Sequence, residues 1–215
     1  MECPDLVIFD NDGVLVDSER LANGILAALL TEAGLPYTLE QAVHEFMGGS
    51  LARVRTAAED RLGTPLPTDF EDRYHQRLFE GFAELVAIDG VAQVLDELDA
   101  AGTAYCVASS GDHERIRTAL TAVRLYERFQ GHVFSAQDVA HGKPAPDLFL
   151  HAAAAMGVEP AGCLVVEDSP LGVEAARAAG MRVVGYAGMT PAERLAGADV
   201  VIDKMGALTG LFGHS

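Results

Sequence analysis

Short apolar runs recur along this chain, and between them lie longer stretches in which apolar residues return every three or four positions. Short apolar runs bounded by turn residues are typical of buried strands, whereas the longer spacing is typical of amphipathic helices. The predicted strands cover residues 6–9, 104–108, 132–134, 163–166, 182–185 and 199–202. Strands that alternate with helices in this way predict an α/β fold with a doubly wound parallel sheet.

The clearest helix signal lies between the first two strands of this series. Val91, Val94, Leu95 and Leu98 share one helical face, and Gly102 follows as a stop signal. Glycine after the last periodic residue and proline in the first turn are typical helix boundaries. On this basis further helices are predicted from Pro146 to just before Gly157, and from the cap Ser169-Pro170 to Gly180.

One long stretch lacks strand signals. Between residues 17 and 87 the apolar pattern predicts only helices, at 21–33, 51–62 and 70–86, joined by turns rich in glycine and proline. A long crossover between two strands is one interpretation of this stretch. The interpretation that we prefer is a core domain, residues 1–16 and 88–215, that carries an inserted α-helical cap domain, residues 17–87.

Composition narrows the class of protein. Apolar residues make up 49% of the 215 positions, enough for a sizeable core, and none of the apolar runs approaches the roughly 18 residues of a membrane span. The formal net charge of −17 disfavours nucleic acids and anionic membranes as partners. The first residues do not resemble a signal peptide, and the three distant cysteines suit a reducing compartment. We therefore expect a cytoplasmic protein.

Two aspartates follow the first predicted strand with one residue between them. Asp10 and Asp12 can converge on one small volume, where two like charges repel each other. A chain tolerates such a pair when a positive group lies between the two, or when it needs two acids with different proton affinities. The alternative is an acidic turn, since Asp, Asn and Gly are ordinary turn residues.

Polar residues also follow three later strands. Ligands of open parallel sheets bind at the carboxyl ends of the strands, so these residues are expected to share one rim of the sheet. The predicted rim residues are Asp10 to Gly13, Ser109, Ser110, Gly111, His141 to Asp147, Glu167, Asp168 and Ser169. Each has an ordinary explanation as a turn, cap or solvated residue, but four such groups after four strands favour a functional site.

Phosphoryl transfer is the chemistry that these residue types suit. A carboxylate can attack phosphorus, and hard oxygen ligands such as Asp10 and Asp168 suit Mg²⁺. Lys143 supplies a compact positive charge, and Ser109 supplies a hydrogen bond to a phosphoryl oxygen. A bound divalent cation would also reverse the local field, so the acidic net charge does not exclude an anionic substrate.

With these residues in view, the chain resembles the haloacid dehalogenase superfamily, in its branch of helical-cap phosphatases and phosphomutases (beta-phosphoglucomutase-like, subfamily I). The resemblance rests on four motifs in order: Asp10-x-Asp12-Gly13-Val14, Ser109 after the second strand, Lys143-Pro144-x-Pro146-Asp147 and Glu167-Asp168-Ser169. It continues to Met181 and covers essentially the whole chain. It implies a Rossmann-like core with a cap that sets the substrate.

The resemblance also implies catalytic roles. Asp10 would attack phosphorus, and Asp12 would protonate the leaving alcohol and later activate the water that hydrolyses the aspartyl-phosphate. Ser109, Ser110 and Lys143 would hold the phosphoryl group. An acid at Asp12 disfavours dehalogenation, because a halide leaving group takes no proton.

A Mg²⁺ site follows from the same resemblance. Asp10, Asp168 and the backbone carbonyl of Asp12 would be ligands of the ion. Glu167 would act on the ion through a water molecule or as a support for the ligands.

Substrate contacts are expected from the cap as well. Gly48, Gly49 and Ser50 match the position of a specificity loop in the superfamily, and Arg53 and Arg77 are candidate anion-binding residues, with solvated arginines as the alternative. The sugar phosphomutases of this branch carry a histidine where this chain has Ala22, and this departure disfavours mutase activity.

From these observations we expect a Mg²⁺-dependent phosphomonoester hydrolase that acts on a sugar or sugar-acid phosphate. The rival functions are a sugar phosphomutase of the beta-phosphoglucomutase type, a phospho-acceptor signalling domain and a catalytically silent binding protein. The expected partner is a small phosphate ester, without nucleic acid or membrane. We expect a monomer, with a dimer as the alternative.

Overall fold

The computed structural model describes residues 2–46 and 51–212 and divides the chain into two compact units. One unit contains residues 1–17 and 86–215, and the other contains residues 18–85. The functional domains expected from the sequence, 1–16 with 88–215 and 17–87, stay a prediction.

The first unit is built on a six-stranded parallel sheet, which confirms the predicted α/β fold. Its strands are β1 (Leu6–Phe9), β2 (Ala104–Ser109), β3 (Val133–Ser135), β4 (Cys163–Glu167), β5 (Arg182–Tyr186) and β6 (Val200–Ile202). Their order in the sheet is β3-β2-β1-β4-β5-β6, so the chain grows outward from β1 first in one direction and then in the other. The strand order therefore reverses at β1, and such a switch point opens a crevice at the carboxyl end of the sheet.

Each strand lies within a residue or so of its predicted position, with the differences at the ends. β2 runs on to Ser109 and β4 to Glu167, because the backbone ladder continues through Ser109 opposite Ser135 and through Glu167 opposite Gly185. Apolar pattern alone does not register these polar residues, since a ladder uses backbone groups whatever the side chain is.

Eight α-helices accompany the strands in the described residues. They are α1 (Ser18–Glu32), α2 (Leu39–Phe46), α3 (Leu51–Leu62), α4 (Phe70–Gly81), α5 (Val91–Ala101), α6 (His113–Ala122), α7 (Asp147–Met156) and α8 (Pro170–Ala178). Within those same ranges none of the helices combines the length and the apolar character that a membrane crossing requires.

The second unit consists of α1 to α4 and a short 3-10 turn, Phe82–Glu84, around its own apolar cluster. The cluster draws on all four helices and on the turn before α4, and its buried members are Leu26, Leu29, Leu30, Phe46, Val54, Ala58, Leu66 and Phe70. The helical character of the insertion is therefore as the sequence predicts.

Two predictions for this unit were wrong. Helix α2 was not predicted, and the helix predicted over 70–86 ends at Gly81. The α-helix gives way there to the 3-10 turn, and the chain then becomes extended because it pairs with the segment after β1. Asp17 N donates to Val86 O at 3.0 Å, and Ile88 N donates to Leu15 O at 3.0 Å. Such pairing needs extended backbone, which ends the helix.

Candidate active site

Lys143 links two carboxylates that arrive from different strands. Its Nζ lies 2.6 Å from Asp10 Oδ1 and 2.7 Å from Glu167 Oε1, and it also donates to Ala108 O at 3.1 Å. The Lys143 side chain is only 5% exposed. Because β1 lies between β2 and β4, residues at the carboxyl ends of these strands meet here, as the rim argument predicts.

The loop after β1 turns back sharply on itself. Gly13 has a φ of 81°, a left-handed conformation that glycine adopts without steric cost, and Gly13 N donates to Val16 O at 2.8 Å. Leu15 N and Val16 N both donate to Asn11 O. This turn fixes the backbone next to Asp12 and explains why glycine directly follows the second aspartate.

The Glu167 carboxylate is held by both of its oxygens. Oε1 accepts from Lys143, and Oε2 accepts from the backbone N and the hydroxyl of Ser169, each at 2.9 Å. Ser169 also caps α8, since its Oγ accepts from Gly172 N at 3.0 Å. A Cβ on residue 172 would lie 1.7 Å from Glu167 Oε1, so the carboxylate rests where only glycine leaves room.

Burial and charge give Asp10 an unusual proton affinity. Burial, with a smaller contribution from the carboxylates of Glu167 and Asp12, raises the pKa of Asp10 to about 7 against the opposing effect of Lys143. For Lys143, burial opposes the charged form, yet the carboxylates of Asp10 and Glu167 raise its pKa above the ordinary lysine value. Lys143 therefore remains an ammonium ion at neutral pH.

Three buried carboxylates form a group that fits a metal ion. Asp10, Glu167 and Asp168 each offer an oxygen, and these oxygens all lie within 4.8 Å of one another. Three carboxylates against the one ammonium of Lys143 leave a formal excess of two negative charges, which one divalent cation would balance. Hard carboxylate oxygens are the ligands that Mg²⁺ prefers. The donor set and the charge both fit the expected ion.

Asp12 lies beside this group with a donor on each carboxylate oxygen. Arg115 Nη2 donates to Oδ1 at 3.0 Å, and Asn11 Nδ2 donates to Oδ2 at 3.3 Å. Sequence reasoning missed both contacts. One signal was available, since Arg115 is a cation in the first turn of α6, where the helix dipole disfavours positive charge.

Ser109 and Ser110 occupy different environments. Ser109 is buried, and its Oγ accepts from Gly111 N at 3.1 Å, while Ser135 donates to Gly111 O at 2.7 Å. Ser110 is exposed at the surface of the loop. Ser109 is the last residue of β2 and Ser110 follows it. Their contacts with a phosphoryl group stay predictions.

The predicted cap residues have partners within the second unit. Arg77 makes a bidentate ion pair with Glu32, at 2.8 and 3.1 Å, and Arg73 pairs with the same carboxylate. Arg53 Nη2 donates to Glu45 O at 3.2 Å. Their substrate roles stay predictions, and Gly48, Gly49 and Ser50 lie outside the described residues.

Residues 4–180 match the family described as haloacid dehalogenase-like hydrolase. The chain therefore belongs to this family, and it is an enzyme of the phosphatase type. A relative with a named activity is 6-phosphogluconate phosphatase of Escherichia coli (strain K12), which is 32% identical over 183 residues, 83% of this chain and 80% of the relative.

Two solved structures of the same family are close in fold. A conserved haloacid dehalogenase-like protein of unknown function from Agrobacterium tumefaciens str. C58 has a TM-score of 0.90 and 40% identity, with 96% of each chain covered. A haloacid dehalogenase family hydrolase from Deinococcus radiodurans R1, with bound phosphate and sodium, has a TM-score of 0.88 and 31% identity over the full length of both chains.

Proposed function

We propose that this protein is a Mg²⁺-dependent phosphomonoester hydrolase of a sugar or sugar-acid phosphate and that it works through an aspartyl-phosphate on Asp10. The observation that carries the proposal is the Lys143 ammonium held between the buried Asp10 and Glu167 carboxylates. A nucleophile of this kind, with a fixed positive charge beside it, suits attack on a phosphate monoester. The similarity to a 6-phosphogluconate phosphatase supports a sugar-acid phosphate as the substrate class.

In the first step an Asp10 oxygen attacks phosphorus and the bond from phosphorus to the ester oxygen breaks. The departing alcohol oxygen takes the proton of the Asp12 carboxyl group, so the products are a free alcohol and the aspartyl-phosphate. Lys143 and Ser109 hold the phosphoryl oxygens during this transfer. Because Lys143 contacts Asp10, its positive charge lies next to the phosphoryl group on which negative charge develops during the attack.

In the second step water attacks the same phosphorus and the bond to Asp10 breaks. Asp12, now a carboxylate, takes the proton of that water, and inorganic phosphate leaves with Asp10 restored. The groups that would hold Mg²⁺ are Asp10, Asp168, the backbone carbonyl of Asp12 and Glu167, the last of these directly or through water. When bound, the ion supplies positive charge next to the phosphoryl oxygens.

The proposal extends to the partners and the setting of the enzyme. A small phosphate ester is the partner, and the net charge of −17 supports the exclusion of nucleic acids and anionic membranes. We infer a monomer, with a dimer as the alternative, and the cytoplasm as the compartment.

The test is phosphate release from a panel of sugar, sugar-acid, glycolate and nucleotide monophosphates, with Mg²⁺ and with EDTA. We expect release that requires Mg²⁺ and disappears in Asp10→Asn, because an amide is a far weaker nucleophile than a carboxylate. Normal turnover in Asp10→Asn would rule out Asp10 as the nucleophile. Isomer interconversion with a bisphosphate activator and little free phosphate would favour a mutase instead.

A further inference from the structure

We propose that Arg115 and Asn11 are positioning residues that hold the Asp12 carboxyl group in line with the leaving oxygen of the substrate. Arg115 lies outside the motifs that define the site, and Asn11 occupies the unspecified position between Asp10 and Asp12. The inference rests on the proposed function, in which Asp12 is the proton donor. The two donors approach from different directions in the fold, since Asn11 precedes Asp12 in the loop after β1 and Arg115 lies on α6.

We call the two donors, Arg115 and Asn11, the clamp on Asp12. Arg115 Nη2 is 3.0 Å from Asp12 Oδ1, and Asn11 Nδ2 is 3.3 Å from Asp12 Oδ2. A carboxyl group with a donor on each oxygen has its plane fixed, whereas one without such donors rotates about its last torsion angle. Proton transfer requires the donor and acceptor oxygens at hydrogen-bond distance, so a fixed plane favours the reaction.

Arg115 occupies a position in its helix that is unusual for a cation. It lies in the first turn of α6, where its backbone N donates to the cap residue Asp112 at 2.7 Å. A positive side chain there opposes the helix dipole. Its ion pair with Asp12 is partly solvated, since the two side chains are 36% and 19% exposed, and ion pairs of this kind contribute little stability. A residue that breaks a local rule without gain in stability indicates a functional constraint.

Asn11 is also a residue that stability alone does not favour at its position. Its side chain is fully buried, and within the described residues its Oδ1 has no hydrogen-bond partner. A buried acceptor without a partner costs stability, so an apolar residue of similar size would suit this position better on packing grounds alone. What asparagine adds is the Nδ2 donor, and that donor points to Asp12.

The step that the clamp serves is the transfer of one proton from the Asp12 carboxyl group to the ester oxygen as the bond from phosphorus to that oxygen breaks. A substrate whose leaving group is already a stable anion does not need this proton. Loss of the clamp should therefore harm poor leaving groups selectively. This selectivity separates a positioning role from general damage to the site.

The experiment compares kcat/KM for benzyl phosphate and p-nitrophenyl phosphate, two esters of similar size whose leaving groups differ greatly in acidity. The parameter kcat/KM covers only the steps up to departure of the alcohol, so the later role of Asp12 as a base does not enter. The variants are Arg115→Met, Arg115→Lys and Asn11→Leu, with Arg117→Met as the control. Arg117 lies two residues further along α6 and is exposed. Its substitution by Met removes the same positive charge as Arg115→Met.

For Arg115→Met we expect kcat/KM to fall about 10- to 100-fold with benzyl phosphate and less than about threefold with p-nitrophenyl phosphate. Asn11→Leu should show the same selectivity, Arg115→Lys should recover part of the loss, and Arg117→Met should match the wild type. Equal losses on both esters, or no loss on either, would overturn the inference. Failure of the wild type to hydrolyse either ester would instead count against the proposed function.

Discussion

Gly172 leaves room for a carboxylate of the candidate active site. The Glu167 carboxylate occupies the space that a Cβ on residue 172 would need, and Glu167 in turn touches Lys143. Glu167 is almost fully buried and also accepts a hydrogen bond from Ser169, so a displacement of its carboxylate would cost free energy. The position of the lysine therefore depends on a glycine one helical turn beyond the motif.

The variant Gly172→Ala should lower kcat/KM by about 10- to 100-fold, since displacement of a group that supports active-site ligands typically costs this much. Steady-state phosphate release measures the effect. The matched control is Gly24→Ala in α1, because a Cβ on residue 24 meets no atom within 4 Å. The control should keep full activity and unfold at a free energy about 0.5–1 kcal/mol higher. Equal activity in the two variants would contradict the role given to Gly172.

The cysteines differ in burial, and this predicts their reactivity. Burial raises the pKa of the Cys163 thiol to about 11, and it raises the pKa of Cys106 further above the usual thiol range, whereas Cys3 is exposed. The thiolate is the reactive form, and it appears only as the pH approaches the pKa. At pH 8 the two buried thiols are therefore almost fully protonated.

Titration of the native protein with a chromogenic disulfide reagent at pH 8 should modify one thiol rapidly. In denaturing urea all three thiols should react, and Cys3→Ser should remove the rapid phase. Rapid modification of two or more thiols in the native protein would mean that the sheet opens more readily than its burial implies.

At the scale of elements, the strands were the easiest part to predict. Both β1 and β4 consist entirely of buried residues, and all of these except Glu167 at the end of β4 are apolar, so each strand appears in the sequence as an apolar run. Helix α2 was missed because only Ala42 and Phe46 are buried, which is too short a stripe to register as a period.

A different signal marks α2. Thr38 Oγ1 accepts from Gln41 N at 3.2 Å, and Gln41 Oε1 accepts from Thr38 N at 2.9 Å, which is a reciprocal capping box. The spacing of Thr and Gln by three residues is visible in the sequence. The sequence therefore contains a signal for the start of this helix but none for its apolar face.

Removal of this cap should destabilise the helical unit. Thr38→Ala should lower the free energy of unfolding by about 1 kcal/mol, because it leaves the backbone donor Gln41 N without its side-chain acceptor. Thr56→Ala is the control: its hydroxyl donates to Ala52 O within the exposed face of α3, where alanine is the better helix former. Urea unfolding followed by circular dichroism measures both. An equal or larger loss in Thr56→Ala would contradict the importance of the cap.

At the scale of the whole molecule, the predicted rim follows from topology and not from any single motif. Once the alternating pattern indicates a parallel sheet, residues after neighbouring strands must lie at one edge, which brings Asp10, Lys143 and Glu167 together. The contacts of Asp12 could not be predicted in the same way. Arg115 lies on a helix, and which neighbour its long side chain reaches depends on packing that no periodicity encodes.

The order of strands also bears on how the chain acquires its fold during synthesis. β1 is made first, yet its two neighbours β2 and β4 end only at Ser109 and Glu167. This apolar strand therefore lacks one neighbour until about half of the chain has been made, and the other for longer still. Contacts between segments so far apart in sequence form slowly, and exposed apolar strands aggregate. Asp10 therefore leaves the ribosome long before Glu167 and Asp168, and the nascent chain is most prone to aggregation in that interval.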